Sequence, residues 1–193
     1  MAVEEQNPYH YTGLHAFGFL KGAEAGAEEI VARLRDLGEP PGGPVIWAGA
    51  FVGDFDGMVH VRVEQGELGT LQELIGGTFR DAGFRGRWAI EARVAKTTQE
   101  DGVTALYVGV KRGTQEIIAI SRLKVRPDSL DSVLERLTAI PAFRGASLVF
   151  GETDVLLQLG ASEFDEVARA VERDVQGVEG ILASATAFCD GRR

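Results

Sequence analysis

Hydrophobic and polar positions along the chain predict the same succession of elements in its first and second halves. Helices are indicated where apolar residues recur at i, i+3, i+4 and i+7, and strands where apolar residues alternate or run together between glycines and prolines. Predicted strands cover residues 14–20, 45–52, 59–64, 87–94, 117–125, 143–150, 155–159 and 181–188, and predicted helices cover 23–37, 68–82, 127–140 and 162–176. Each half therefore has the order strand, helix, strand, strand, helix, strand.

Two hairpin turns strengthen this repetition. The second half carries the turn Gly151-Glu152-Thr153-Asp154, and the first half carries the turn Gly53-Asp54-Phe55-Asp56-Gly57. Gly53 and Gly151 are 98 residues apart, and so are Asp56 and Asp154. Glycine suits tight turns because it tolerates positive φ, and aspartate suits them because it hydrogen-bonds nearby backbone. The matched spacing predicts one unit used twice.

The predicted fold class is α+β, with two ferredoxin-like βαββαβ repeats. In such a unit, two helices cover one face of a four-stranded antiparallel sheet, and the other face stays bare unless something packs on it. The last predicted strand is apolar on both faces, with Ile181 on one and Leu182 on the other, so a covered second face is expected. We expect the repeats to cover each other as an intramolecular pseudo-dimer of the dimeric α/β-barrel type. The alternative is that each half pairs with a half of another chain.

The domain boundaries follow from the loops between these elements. We expect an N-terminal tail over 1–12, a divergent ferredoxin-like repeat over 13–94, and a polar linker with an extra strand over 95–115. The second repeat covers 116–189, and 190–193 form a short tail.

Charge and composition narrow the class of protein. The net charge is −9, which argues against direct nucleic-acid binding, because phosphate contacts require a basic face. No apolar run is long enough to cross a bilayer, and no basic region followed by an apolar stretch marks a secretory signal, so no membrane association is expected. Cys189 is the only cysteine, which excludes an internal disulfide and fits a reducing, cytoplasmic location.

The second half resembles the ligand-sensing domain of the Lrp/AsnC family of leucine-responsive and asparagine-operon regulators. Three marks carry the resemblance over residues 116–189: the small apolar segment after Ile140-Pro141, the turn 151–154, and the turn 177–180 before a strand with Ser184 and Thr186. In the first half only the turn at 53–56 is similar to the family pattern. The family's helix-turn-helix would precede this domain, and the twelve residues before the first strand leave no room for one.

The resemblance implies a non-enzymatic binding module for a small, amino-acid-like effector, which acts as a homo-oligomer or with a protein partner. By the same resemblance the ligand-binding residues are Gly151, Glu152, Thr153 and Asp154, with Gly53, Asp54 and Asp56 in the divergent copy. An aspartate can pair with an ammonium group, and free backbone N–H groups of a glycine turn can hold a carboxylate. The structural alternative is that these aspartates only cap hairpins.

Metal, cofactor and catalytic sites have weaker support in the sequence. The Asp54/Asp56 pair lacks the later ligands of a calcium loop, and His10, His15 and His60 lack a metal-binding spacing, so neither a metal nor a cofactor is expected. His60 falls on the polar phase of its strand, and for all three histidines a solvated side chain or one at a sheet edge is expected. No catalytic pair has a recognisable spacing, and no catalytic residue is assigned. The alternative function is a dimeric α/β-barrel enzyme, of oxygenase or haem type, with its substrate between the sheets.

Overall fold

The computed structural model describes residues 13–21, 26–37, 44–63, 68–97 and 116–190. Within these ranges the chain is a mixed α+β structure with one large antiparallel sheet. The expected N-terminal tail, His10, the extra strand at 103–110 and most of the linker lie outside the described residues.

In the described part of the chain, nine strands form the sheet, and five α-helical segments with three other helical turns connect them. The strands are β1 (Leu14–Leu20), β2 (Val45–Ala50), β3 (Val52–Gly53), β4 (Gly57–Val63), β5 (Gly86–Thr97), β6 (Ile117–Val125), β7 (Phe143–Phe150), β8 (Val155–Ala161) and β9 (Ile181–Asp190). The helices are α1 (Ala27–Asp36), α2 (Leu68–Glu73), α3 (Phe79–Asp81), α4 (Leu130–Thr138) and α5 (Phe164–Arg169). A π-helical turn (Leu74–Thr78) joins α2 to α3, another (Ala170–Val175) extends α5, and a 3-10 turn (Pro127–Ser129) precedes α4.

The strand order is β2-β4-β1-β5-β7-β8-β6-β9-β3, with every neighbouring pair antiparallel. Residues 14–97 supply the first four strands of this order, and residues 117–190 supply the next four. Both sets of four have the same order: second strand, third, first and last of the four long strands in each half. The registers also correspond. His60 pairs with Phe17 and Trp47, and Gln158, which is 98 residues further on, pairs with Ile120 and Gly145.

The sheet closes on itself. Its two ends in the strand order are β2 and β3, and only Phe51 separates these strands in the chain. β2 pairs with β4 at one end, and β3 pairs with β9 at the other, through Val52 with Phe188 and Gly53 with Ala187. The segment 45–53 therefore belongs to both ends, and the strands form a barrel.

Three apolar clusters fill this architecture. One packs α4, α5 and their extensions on the outer face of β6–β9, and a second packs α1 to α3 on the outer face of the strands in 14–97. The third lies inside the barrel and draws residues from both halves: Phe17, Phe19, Phe51, Phe55, Met58, Ala89, Ile118, Ile120, Val149, Leu156 and Ala187. Both faces of the sheet are therefore buried, as the apolar character of its second face predicted.

Candidate functional site

A cavity of about 410 Å³ opens at one end of the barrel. Its wall comes from the end of β1, the turn before β4, the start of β5 and the middle of β6, so both halves of the chain contribute. The lining residues are Phe19, Lys21, Asp54, Phe55, Arg85, Gly86, Arg87 and Arg122. We call this cavity the mouth.

Arg122 is the most enclosed cation of the mouth, with 13% of its side chain exposed. Its guanidinium donates to Asp54 and lies 5.1 Å from the ring centroid of Phe19 and 5.7 Å from that of Phe55. Such cation–π contacts hold the guanidinium on two aromatic faces. The Nε atom of Arg122 is buried without a hydrogen-bond partner in the described part of the chain.

The remaining charges of the mouth are more exposed. The ammonium of Lys21 lies 3.5 Å from the Asp54 carboxylate, and Arg87 pairs with Glu152, which belongs to the other half. Asp54 also reaches the other half through Arg122. Asp54 and Glu152 are 98 residues apart, so each hairpin turn sends one carboxylate to an arginine of the opposite half.

Polar side chains also lie inside the barrel, below the mouth. His15 Nδ1 and His60 Nε2 are 2.9 Å apart, and both rings are buried. The His60 ring packs on Phe17, with centroids 4.6 Å apart. Burial lowers the pKa of His60 well below its ordinary value, and the nearby charges of His15 and Arg62 lower it further. His60 is therefore neutral at physiological pH.

Glu91 is a buried carboxylate whose environment changes its pKa strongly. Its neighbours Trp88 and Ile90 pack on the helix side and Ala89 lies inside the barrel, so strand alternation places Glu91 inside. Burial raises its pKa to about 7, against a smaller opposing effect of the Ser147 hydroxyl. Neither carboxylate oxygen makes a hydrogen bond of good geometry within the described residues. The group therefore exists in both protonation states near neutral pH.

Gln158 is the second polar residue with unmet hydrogen-bonding capacity. Leu157 and Leu159 face the helices, whereas Leu156 faces the interior, so Gln158 points inward as well. Its side chain is fully buried, and neither the amide nitrogen nor the amide oxygen has a partner in the described chain. Burial of an unpaired amide is costly, by about 1–3 kcal/mol in proteins. An ordered water or a bound molecule can supply the missing hydrogen bonds.

The interior polar groups and the mouth are linked by strand pairing. Ser147, beside Glu91, pairs with Leu156, and Leu156 pairs with Arg122. Ser147, Leu156 and Arg122 thus form a row across three neighbouring strands. Its two ends are two inter-strand distances apart, which is about 10 Å. A small molecule that enters at Arg122 thus faces the row that leads to Glu91.

The turn at 53–56 was predicted to bind a ligand, and the structure places it beside the mouth. Asp54 lines the cavity, and Gly53 lies in β3 with φ +139°. The backbone N–H of Asp56 donates to Leu20, and its carbonyl accepts from Phe51, both at 2.8 Å. Gly53 thus pairs with Ala187 of β9, and the backbone N–H of Asp54 donates to Thr186 of the same strand, whereas the backbone of Asp56 joins the turn to β1.

The corresponding turn at 151–154 makes similar contacts. The N–H of Asp154 donates to Leu123 at 2.9 Å, and its carbonyl accepts from Val149 at 3.0 Å. Its carboxylate accepts from the N–H of Val125 and the ammonium of Lys124, both at 2.8 Å. Gly151 and Glu152 are exposed, and Thr153 is partly buried. A ligand role for this turn stays a prediction, and the carboxylate of Asp154 already has two partners within the chain.

Sequence patterns missed most of the interior site. The prediction that His60 is solvated is wrong, since only 2% of this residue is exposed, because closure of the barrel buries the polar phase of β4. Glu91 was overlooked for the same reason. One signal was present: His15 and Gln158 are single polar residues within otherwise apolar strands. Cys189 is partly buried, and burial raises its pKa to about 12, as befits an unreactive thiol.

Comparison with known proteins identifies the fold but no family. No family model matches the chain, and no curated protein matches it in sequence. An anthrone oxidase-like protein superimposes with a TM-score of 0.57 over 93% of this chain and 92% of its own, at 13% identity. The siroheme decarboxylase NirDL superimposes with a TM-score of 0.59 over 90% of this chain and 70% of its own, at 11% identity. This chain therefore shares its fold with these two proteins.

Regulators of the Lrp/AsnC type are also similar over part of the chain. Escherichia coli AsnC matches at 11% identity over 50% of this chain and 60% of its own, with a TM-score of 0.36. A Neisseria meningitidis transcriptional regulator, solved as a complex with L-Met, matches at 19% identity over 66% of this chain and 73% of its own, with a TM-score of 0.36.

None of the helices in the described residues has the length and apolar character needed to span a bilayer. No group of three or more His, Cys, Asp or Glu side chains there is arranged to hold a metal ion.

Proposed function

We propose that this protein binds a small, largely apolar molecule inside its barrel and that Glu91 exchanges a proton with it. The observation that carries the proposal is the state of Glu91. It is a buried carboxylate among aromatic and aliphatic side chains, its pKa is raised to about 7, and its oxygens are without good hydrogen bonds in the described chain. General bases work best when their pKa lies near the operating pH.

The neighbouring residues have roles that fit this chemistry. Ser147 lies beside Glu91 and can donate a hydrogen bond to the ionised carboxylate. The Gln158 amide can both donate and accept, and so can orient a carbonyl or hydroxyl group of the bound molecule. The apolar side chains of the interior exclude water, which keeps the carboxylate basic after it loses its proton.

The two halves support the proposal that the barrel is an intramolecular pseudo-dimer of two ferredoxin-like repeats, over 13–94 and 116–189. Strand order, register and the backbone contacts of Asp56 and Asp154 all correspond. In this arrangement a single enclosed interior forms from one chain, and both halves provide side chains to it.

A proton-transfer assay tests the proposed function. Anthrone is a suitable probe, because its methylene protons are acidic, it is small and aromatic, and an anthrone oxidase-like protein shares this fold. We expect the wild-type protein to accelerate exchange of these protons with deuterated water, as followed by NMR. The rate should rise with pH and level off above about 7, where Glu91 is ionised.

The matched variants are Glu91→Gln and Glu172→Gln. Both remove one carboxylate, but Glu172 is exposed on the outer helical layer. Glu91→Gln should abolish the accelerated exchange and its pH dependence, whereas Glu172→Gln should leave both unchanged. Equal exchange with the wild type and Glu91→Gln, measured on folded protein, would contradict the proposal.

A second candidate function is effector sensing, as the Lrp/AsnC resemblance implies. The observation that favours it is the position of Asp54, which lies in a turn of the expected pattern and in the wall of the mouth. Under this function the residues Gly53, Asp54, Asp56 and 151–154 contact an amino-acid-like effector, and the protein acts as a homo-oligomer or on a protein partner.

A thermal-shift screen with the twenty amino acids separates the two functions. An effector that binds only the folded state, at a hundred times its dissociation constant, adds about 2.7 kcal/mol to the free energy of unfolding. Effector sensing predicts a shift that Asp54→Asn or Asp154→Ala removes and Glu91→Gln keeps. The absence of any shift would count against it.

A further inference from the structure

The residues that line the mouth carry a net positive charge, whereas the protein as a whole is negatively charged. The chain has a net charge of −9, yet four of the residues that line the mouth are cationic and one is anionic. The cations are Lys21, Arg85, Arg87 and Arg122, and the anion is Asp54.

The acidic side chains at the mouth neutralise only part of this charge. Asp54 is shared between Lys21 and Arg122, and Glu152 pairs with Arg87 from outside the cavity lining. Arg85 forms no ion pair within the described residues. The pair between Arg87 and Glu152 is 70% and 60% exposed, so it contributes little and a ligand can replace it.

Arg122 gives the mouth a fixed element. Its guanidinium is held over Phe19 and Phe55, and its Nε atom is buried with no hydrogen-bond partner in the described chain. A side chain of this kind is aimed and rigid before any ligand arrives. The fork geometry of a guanidinium matches the two oxygens of a carboxylate or phosphate group.

We infer that the molecule which enters the barrel is an aromatic oxyanion, whose carboxylate or phosphate group binds among Lys21, Arg85, Arg87 and Arg122. Its aromatic body lies on the floor that Phe19 and Phe55 form and points toward the row that leads to Glu91. This inference rests on the proposed function, because the anion that binds at the mouth is the same molecule with which Glu91 exchanges a proton.

The same contacts argue against a zwitterionic amino acid at this position. An ammonium group would need a free carboxylate, and the Asp54 carboxylate already contacts two cations. An ammonium group would also lie close to Arg122. A ligand with an anionic head and no cation matches the mouth better.

Binding of three single-ring probes tests the inference. Benzoate carries a carboxylate, phenyl phosphate carries a phosphate, and benzyl alcohol is a neutral analogue of similar size. NMR titrations of the full chain should give at least tenfold tighter binding of one of the anions than of benzyl alcohol. Benzoate and phenyl phosphate report separately which oxyanion is preferred. The advantage of the anion should shrink as salt is added.

The variant pair Arg85→Gln/Arg87→Gln should reduce binding of the preferred anion to the level of benzyl alcohol. Arg80→Gln/Arg173→Gln is the matched control, because it removes the same net charge from exposed helical positions away from the mouth. This control should retain the preference for the anion. Equal losses in both double variants would mean that overall charge, and not the mouth, attracts anions, and would overturn the inference.

Glu91→Gln separates this inference from the proposed function. If benzyl alcohol binds as well as the anions, and Glu91→Gln abolishes exchange of anthrone protons, the function stands and the inference is wrong. If an anion binds at the mouth and Glu91→Gln leaves anthrone exchange unchanged, the mouth site stands and the proton-transfer function is wrong. If none of the three probes binds, the inference fails.

Discussion

Phe19 and Arg122 occupy corresponding positions in the two halves, and the guanidinium carbon of Arg122 lies 5.1 Å from the centroid of the Phe19 ring. Each residue precedes the leucine whose carbonyl accepts the N–H of a hairpin aspartate, Leu20 for Asp56 and Leu123 for Asp154. When an axis relates two similar units, corresponding residues of the units can contact each other only close to that axis. The mouth lies at that meeting point, and a substitution in either half changes it.

The ion pair between Asp54 and Arg122 should be strongly coupled. Both side chains are mostly buried, with 28% and 13% exposed, and each belongs to a different half. A double-mutant cycle with Asp54→Asn and Arg122→Gln should give a coupling free energy of about 1–3 kcal/mol in chemical denaturation. The exposed pair of Glu29 with Arg33 is the control, and should give about 0.3–0.5 kcal/mol. Coupling no larger than that of the control would mean that the pair does not join the halves.

Glu91 should make the protein less stable as the pH rises. Its pKa is about 7 in the folded protein and 4.5 ordinarily, so between these values the folded protein binds more protons than the unfolded chain. The contribution of this group to the free energy of unfolding therefore falls between pH 4.5 and 7, by about 3 kcal/mol at 1.36 kcal/mol per pKa unit. Denaturant titrations across this range should show a flatter profile for Glu91→Gln, and a wild-type profile for Glu172→Gln. Parallel profiles for wild type and Glu91→Gln would show that the carboxylate has an ordinary pKa.

Replacement of Gln158 by leucine should stabilise the protein without ligand. The substitution keeps the approximate volume and removes two buried amide atoms that have no partner in the described chain. The expected gain is about 1–2 kcal/mol in the free energy of unfolding, because the cost of burying unpaired polar atoms disappears. Gln176→Leu, at an exposed position, should change stability by less than about 0.5 kcal/mol. Loss of stability on Gln158→Leu would indicate that the amide is satisfied in the apo protein.

Gly53 should tolerate a side chain far less well than Gly151, although the two positions correspond. Gly53 has φ +139°, and a Cβ there would lie 2.6 Å from the carbonyl oxygen of Thr186 on β9. The backbone of Gly151 lies outside the left-handed region, and its Cβ would come no closer than 3.2 Å to the carbonyl of Trp88. We expect Gly53→Ala to cost about 1–3 kcal/mol and Gly151→Ala less than about 1 kcal/mol in chemical denaturation. Equal costs would mean that the junction of β3 with β9 has room to adjust.

Much of the fold could be predicted from periodicity and turn chemistry. β1, β6 and β7 have the predicted limits, and the Gly-x-x-Asp turns lie where the strands reverse. Other boundaries shifted by a few residues; β5, for example, extends to Thr97. The glycine pair at 76–77 has low helix propensity, and there the helix widens into the π-helical turn Leu74–Thr78.

The candidate site was predicted far less well, and the cause is the closure of the sheet. Alternation along a strand tells which residues share a face, but it does not tell whether that face meets water. Glu91 and His60 lie on the polar phase of their strands, and in an open sheet they would be solvated. The pairing of Gly53 with Ala187 completes the barrel and buries them, and this contact joins residues that are far apart in the sequence.

Because one chain supplies both halves, corresponding interior positions carry different residues. His60 corresponds to Gln158 and Glu91 to Cys189 through the common spacing of 98 residues, and Phe19 corresponds to Arg122 because each precedes the leucine that accepts the N–H of its hairpin aspartate. A barrel assembled from two identical chains would contain each of these side chains twice, and would offer a ligand two equivalent orientations. Because the two halves line the interior with different residues, the inner surface has a direction, and an asymmetric ligand should bind there in a single orientation.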